Sequence, residues 1–271
     1  MDCIICKSKS KFFINKNFSK TPYSFMMEDI PLVDYYKCCN CGFTISKTHI
    51  ELDTNRWIKL NSDFHHYIEN NVSTTNQPPY IDQAIMLKLL KDNNIINLES
   101  AVDFAGGYGT LSKILKRYFN LDLVIYDPYV QDTNQLNYIK KSELSKYDVV
   151  INSALFEHLY SRESFEEIND LVSNSGFLII HSVICENVPQ DENWFYMEPP
   201  VHCSFHTNAS MAILMKQWNY EASVYCLSAK SWILIKKTNS ELKNKIDLIN
   251  RELQTNYFIY KDGFVDYWKG Y

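Results

Sequence analysis

The sequence predicts an α/β fold in which a parallel sheet, covered by helices on both faces, ends in an antiparallel hairpin and is preceded by a small cysteine-bearing module. Three observations predict it. Strand-like apolar segments alternate with helix-period segments from about residue 96 to residue 238. The last two strand-like segments are separated by only three residues, too few for a crossover helix, so they must pair antiparallel. Two Cys-x-x-Cys pairs stand near the start of the chain.

The elements follow in order. Residues 1–50 hold the cysteine pairs and short aromatic segments that read as small strands. Residues 51–95 read as a connector and a helix. From Glu51 to Pro79 the chain is polar and rich in Asn, with one helix around Phe64 to Glu69. Ile81, Ile85 and Leu89, flanked by Met86 and Leu90, then predict an amphipathic helix over Tyr80 to Asn93. Ala101 to Phe104 is a buried strand bounded by glycines, and Leu111, Ile114, Leu115 and Tyr118 predict the helix after it. Leu121 to Tyr126 and Tyr147 to Asn152 are further strands. Ser164 and Glu167 form a capping box for a helix burying Phe165, Ile168, Leu171 and Val172. The Asn174-Ser175-Gly176 stop introduces a strand over Phe177 to Ile184. Met211, Leu214, Met215 and Trp218 predict one more helix, and Ala222 to Leu227 with Ser231 to Lys236 make the hairpin. Residues 239–271 give a helix with Leu242, Ile246, Ile249 and Leu253 on one stripe, then an aromatic tail expected to pack on the domain.

At 271 residues, 46% of them hydrophobic, the chain can bury one full α/β core and a smaller module. A net charge of −5 with dispersed basic residues excludes the footprint of a dedicated nucleic-acid binder. No apolar run reaches the roughly 20 residues of a membrane span, and the first ten residues do not resemble a secretion signal, so a cytoplasmic protein is expected. Of eight cysteines, five fall in the first 41 residues, a pattern that favours metal over disulfides.

The segment AVDFAGGYGTLSKIL places an acidic residue at a strand end, then a glycine turn, then a helix. Gly107 and Gly109 let backbone approach a ligand closely, and the helix that follows presents unpaired N–H groups. Asp103 would orient the turn and take up a ligand amino group. Asp127, 18 residues after Gly109, ends the next strand, where a carboxylate can accept both hydroxyls of a ribose. Two carboxylates at adjacent strand ends predict a nucleoside site that also takes in Gly106, Tyr108 and Pro128. The Gly107-x-Gly109-x-x-Ser112 spacing equally suits a dinucleotide, which makes a nicotinamide-dependent oxidoreductase the rival; the closing hairpin argues against it.

In order and spacing, AVDFAGGYG, IYDPY, YDVVINSALFEHL and SNSGFLIIHS resemble the successive motifs of class I S-adenosylmethionine-dependent methyltransferases, which have a Rossmann-like sheet. The segment ENWFYMEPPVHCSFHTNASMAILMKQW is similar to that of a bacterial subgroup that carries an N-terminal Cys-pair module and is associated with sugar or polysaccharide methylation. The resemblance implies that Asp103, Gly107 and Gly109 hold the methionine part of S-adenosyl-L-methionine, that Asp127 holds the ribose, and that Ser153 and Ala154 line the reacting end. It also implies a small, sugar-containing acceptor methylated at O or C. One departure is Ala105, which stands where the family has its first glycine and is strained if that position has a positive φ. A degenerate methyltransferase domain serving a partner-binding role is the alternative that this departure raises.

Cys3-x-x-Cys6 and Cys38-x-x-Cys41, 31 residues apart, have the spacing of a four-thiolate zinc ribbon, with Cys39 able to replace Cys38. Four thiolates leave no open position, so Zn2+ there would be structural. Cys185, Cys203 and Cys226 have no such spacing and read as buried fillers.

Methyl transfer needs alignment and, for a poorly acidic acceptor, a base. Glu157 and His158 follow the Tyr147 to Asn152 strand, with Glu157 read as a helix cap. His202 and His206 lie in the long insertion and are the preferred base candidates; Trp194, Phe195 and Tyr196 upstream could wall a sugar. Two His four apart suggest a metal pair, but Pro199-Pro200 and the missing third ligand argue against one. His181 reads as a hydrogen-bonded core residue, and His65-His66 as solvated connector.

Overall fold

Val149 and Ile151 pack on one face of a central strand and Val150 on the other, and all three are buried, as a strand in a sheet covered on both sides must be. The structure is a computed structural model in which residues 1–71, 78–130 and 137–267 are described. The end of the aromatic tail, 268–271, lies outside the described residues.

The first strands are β1 (Ser10–Asn17), β2 (Leu32–Cys38) and β3 (Thr44–Ser46), followed by the short helix α1 (Lys47–Ile50) and the long helix α2 (Thr54–Asn71). The α/β unit then runs α3 (Tyr80–Asp92), β4 (Ala101–Phe104), α4 (Thr110–Phe119), β5 (Val124–Tyr126), β6 (Tyr147–Ser153), α5 (Arg162–Asp170) and β7 (Val172–His181). Two short strands, β8 (Ile184–Cys185) and β9 (Ser204–Thr207), lie in the insertion before α6 (Asn208–Gln217). After it come β10 (Ala222–Cys226), β11 (Ser231–Ile235), α7 (Ser240–Glu252) and β12 (Phe258–Asp262).

The main sheet has seven strands in the order β12-β10-β11-β7-β6-β4-β5. β5, β4, β6 and β7 are parallel, whereas β11 runs antiparallel to β7 and forms the expected hairpin with β10. Buried residues of α3, α4 and α7 cover one face; those of α5 and α6 cover the other. The aromatic tail packs rather than projects: β12 extends the sheet beside β10, and Phe264 stacks on Trp232 with ring centroids 5.9 Å apart.

Three expectations need correction. The connector helix is 18 residues long, because Trp57, Leu60 and Phe64 make one buried stripe that the polar residues between them conceal. The cap of α5 is Ser161, whose hydroxyl accepts the Ser164 N–H over 3.2 Å; Glu167 pairs instead with Lys141 at 2.7 Å. Val172 belongs to β7, which pairs with Tyr147 and then bulges over residues 173–176 before resuming at Phe177. Gly176 is required in that bulge, since a Cβ there would lie 2.9 Å from the Asp148 carbonyl.

A second sheet, ordered β1-β2-β3-β9-β8, joins the cysteine-bearing segment to the insertion. Thr44 pairs with Phe205 and Ile45 with Ser204, so residues 1–50 do not complete their own sheet. Tyr35, Trp57, Leu60, Trp194, Val201 and Phe205 form a separate core between this sheet, α2 and the insertion. No described helix is long and apolar enough to cross a membrane.

Candidate active site

β4 delivers Asp103 to the carboxyl edge of the sheet, where the chain turns sharply. Ala105 has φ +61°, Gly107 +53° and Gly109 +69°, and Gly109 leads directly into α4. Ala105 N–H donates to the Tyr126 carbonyl at 2.7 Å, and Gly107 N–H donates to Asp127 Oδ2 at 2.8 Å. Gly106 is fixed by crowding rather than by φ: a Cβ there would meet Asp103 Oδ2 at 2.7 Å. The other Asp127 oxygen accepts from the N–H groups of Tyr129 and Val130, both at 2.8 Å.

Asp103 is buried, and its Oδ1 has no hydrogen-bond partner among the described residues. Burial, helped by the charge of Asp127, pushes its carboxyl up to about 7. A buried carboxylate with an unused oxygen fits a cationic ligand group, such as the ammonium of a methionine moiety. Beside it, the positive-φ turn brings backbone rather than side chains to the cleft.

The second group of residues lies at the end of β6. Ala154, at φ +56°, turns the chain into the short helical turn Phe156–His158, and its N–H donates to the His181 carbonyl at 2.8 Å. Glu157 is buried and accepts from Ser182 Oγ at 3.0 Å; Ser182 Oγ in turn lies 3.1 Å from the Tyr196 hydroxyl. Desolvation pushes Glu157 up to about 7. His158 stacks on His65 with centroids 5.3 Å apart and meets His202 edge to face at 5.1 Å. His202 Nδ1 lies 2.7 Å from the Tyr196 carbonyl, which requires a proton on Nδ1 and leaves Nε2 with its lone pair. Burial lowers His202 to about 3 and His158 well below the usual imidazole range, so both rings are neutral.

Both groups open into one cleft of about 830 Å³, which runs from Ala105 and Gly107 past Asp127 and Ser153 to His158 and His202. Its far wall comes from α2 through Trp57, Asn61 and His65. His206 is not part of it. That ring is buried against Phe43, Phe156 and Phe165, with Nε2 unpartnered among the described residues, so a base role there has no route to an acceptor. Glu157 does not cap a helix; it faces the cleft. His181 keeps the expected hydrogen bond, to the Lys230 carbonyl at 2.9 Å, yet also lines the cleft.

The residues that sequence reasoning missed are on α2. His65, which in sequence reads as solvated connector, contributes a ring to the histidine cluster, and Asn61 Oδ1 reaches His158 Nδ1 at 3.4 Å. The Trp57, Leu60, Phe64 spacing was the available signal.

Apart from the cleft lining, Cys3, Cys6, Cys38 and Cys41 place all four sulfurs within 4.8 Å of one another. Cys3 Sγ and Cys41 Sγ are 3.7 Å apart, and Cys6 Sγ and Cys38 Sγ 3.4 Å. Tetrahedral Zn–S bonds of about 2.3 Å give S···S edges of about 3.8 Å, so the four thiols can hold one zinc ion. Cys39 is exposed and outside the cluster. Cys185, Cys203 and Cys226 are buried, as fillers should be.

Among solved structures, the fold is similar to an O-methyltransferase family protein from Burkholderia thailandensis, at 16% identity over 72% of this chain and 63% of that one, with a TM-score of 0.46. It is also similar to magnesium protoporphyrin IX methyltransferase from Synechocystis PCC 6803, at 16% identity over 66% of this chain and 94% of that one, TM-score 0.45. A third is the plantazolicin methyltransferase BpumL, at 13% identity over 68% and 92% of the two chains, TM-score 0.44. No curated protein matches. The profile of a family described as a methyltransferase domain matches residues 76–223, more than half of the chain, including the glycine turn, the second carboxylate strand, His158 and His202. The chain therefore belongs to this methyltransferase family, and it is an S-adenosylmethionine-dependent methyltransferase.

Proposed function

We infer that the protein methylates a small, sugar-containing acceptor, a sugar nucleotide or polysaccharide precursor, at an oxygen or carbon atom. The observation that carries this reading is the continuity of one cleft from the Ala105 and Gly107 turn, against whose Gly106 the buried, orphaned Asp103 carboxylate packs, to the histidine cluster. In it, Asp103 takes the ammonium of the methionine part, and the Ala105–Gly109 turn lies against that part. Asp127, beside Pro128, accepts a ribose hydroxyl with the lone pair of Oδ2 that its three backbone hydrogen bonds leave free. When bound, S-adenosylmethionine supplies an activated methyl group on a sulfonium. Ser153 and Ala154 direct it toward the space bounded by His158 and His202.

For a hydroxyl acceptor, the proton leaves at this end of the cleft, where the only nearby imidazoles on the cleft wall among the described residues are His65, His158, His181 and His202. An acceptor sugar finds flat apolar surfaces in Trp57, Phe195 and Tyr196, which line the same cleft. The four cysteines hold a structural Zn2+ that fixes the sheet on which the His202 segment hangs. Calorimetric titration with S-adenosylmethionine and S-adenosylhomocysteine tests the cofactor half: binding of neither would overturn it. Turnover assays against a panel of nucleotide sugars test the acceptor half, and activity confined to non-sugar acceptors would overturn that.

A further inference from the structure

The insertion pair His202 and His206 lacks a third metal ligand in sequence, and the fold removes His206 from the cleft altogether. It supplies replacements from the end of β6. One ligand atom from each of Glu157, His158 and His202 lies within 4.8 Å of the others, and all three side chains are buried. We propose that these three residues bind a divalent transition-metal cation at the reacting end of the cleft.

Three features support it beyond proximity. Each side chain is held by a hydrogen-bond partner: Ser182 on Glu157, the Tyr196 carbonyl on His202, and Asn61 on His158. Metal-binding imidazoles and carboxylates are typically oriented by such partners. The His202 contact fixes the tautomer whose free Nε2 can ligate. Two imidazoles and one carboxylate on one side of a cation leave its remaining positions open to the cleft, a set suited to Mn2+, Fe2+, Co2+, Ni2+ or Zn2+ rather than Mg2+ or Ca2+.

The proposal rests on the methyl-transfer reading and deepens it by naming the acceptor class: an alcohol with a second oxygen on the adjacent carbon, as in a sugar diol, so that two oxygens occupy open positions. The cation raises the acidity of the hydroxyl, whose proton passes to water at the cleft mouth. Its oxygen lone pair then forms the new O–C bond as the S–C bond breaks. The bonding pair of that S–C bond stays on sulfur, leaving S-adenosylhomocysteine, the methyl ether and one proton.

Co2+ added to full-length protein loaded with a single equivalent of zinc per chain provides the test, with bound metal counted by mass spectrometry and its environment followed by visible absorption. One Co2+ per chain is expected in addition to the thiolate-held zinc, with weak d–d bands and without the intense near-ultraviolet bands of a cobalt thiolate. His202→Ala, His158→Gln and Glu157→Gln lose that Co2+ while circular dichroism stays native and calorimetric affinity for S-adenosylhomocysteine is unchanged. Absence of the second metal in the unmodified protein, or its full retention in all three variants, overturns the proposal. Co2+ bound normally by protein that binds no S-adenosylhomocysteine supports the cation site and overturns the methyl-transfer reading instead.

Discussion

Tyr35, on β2 of the cysteine-bearing sheet, donates its hydroxyl to the backbone carbonyl of His202 across 2.8 Å, in a fully buried environment. A second tether lies alongside: His49 Nε2 is 2.9 Å from the carbonyl of Pro200. The segment that carries His202 is therefore positioned by the module at the start of the chain and not by the α/β unit alone. Tyr35→Phe leaves the His202 carbonyl without its donor, and a buried unsatisfied acceptor costs about 1–3 kcal/mol. The expected result is a lower Tm and a fall in kcat larger than any change in cofactor affinity. Thermal melts and calorimetry measure the two; equal losses in both would contradict the tether.

Zinc removal should act through the same connection. Chelation is expected to release one zinc per chain and lower Tm, because β9 pairs with β3 and the Thr207 hydroxyl donates to the Cys41 carbonyl. Cys38→Ser should lose the metal, whereas Cys39→Ser keeps it, since Cys39 is exposed and outside the cluster. Metal analysis of the two variants decides between the thiols; equal loss would mean the ligand set is wrong.

Ala105 holds a φ of +61°, a conformation that costs a non-glycine residue about 1–2 kcal/mol. Ala105→Gly removes that strain but adds about 0.4–1 kcal/mol of chain entropy to the unfolded state, so stability is expected to stay level or rise slightly. Ala105→Val, branched at Cβ, should instead cost about 1–3 kcal/mol and weaken cofactor binding. Denaturant melts of both variants check the contrast. If valine proved neutral, the turn would have to adopt another backbone geometry.

If Asp103 takes the ligand ammonium as proposed, cofactor binding is expected to depend on pH. Its folded pKa, about 7, lies above the unfolded value near 3.8, so between those limits the folded apoprotein carries a proton that the unfolded chain lacks. This stabilising contribution is complete below about pH 4 and declines as pH rises toward 7. The neutral, buried His49 and His206, lowered to about 4 and about 3, act oppositely: their contribution is present above the unfolded histidine value and is lost on acidification. A ligand ammonium needs the Asp103 carboxylate ionised, so binding should release close to one proton at pH 6 and tighten up to tenfold per pH unit until about 7. Calorimetry in buffers of different ionisation enthalpy reads the proton directly. In Asp103→Asn the release should vanish and affinity should fall by about 1.5–3 kcal/mol.

The α/β unit, the glycine turn with its two carboxylates, the hairpin and the four clustered thiols are all legible along the chain. Each of these is written in short-range signals: hydrophobic period, glycines between strand and helix, or a two-residue gap between cysteines. Tertiary structure alone decided which histidines share a cleft. His65, His158 and His202 come from α2, from the end of β6 and from the insertion, and they meet because β9 adds to the cysteine-bearing sheet while α2 buries Trp57, Leu60 and Phe64 beneath it. No local pattern encodes that meeting. It follows from burying apolar surface among segments far apart in the chain, the same force that took His206 out of reach and put Glu157 beside His202.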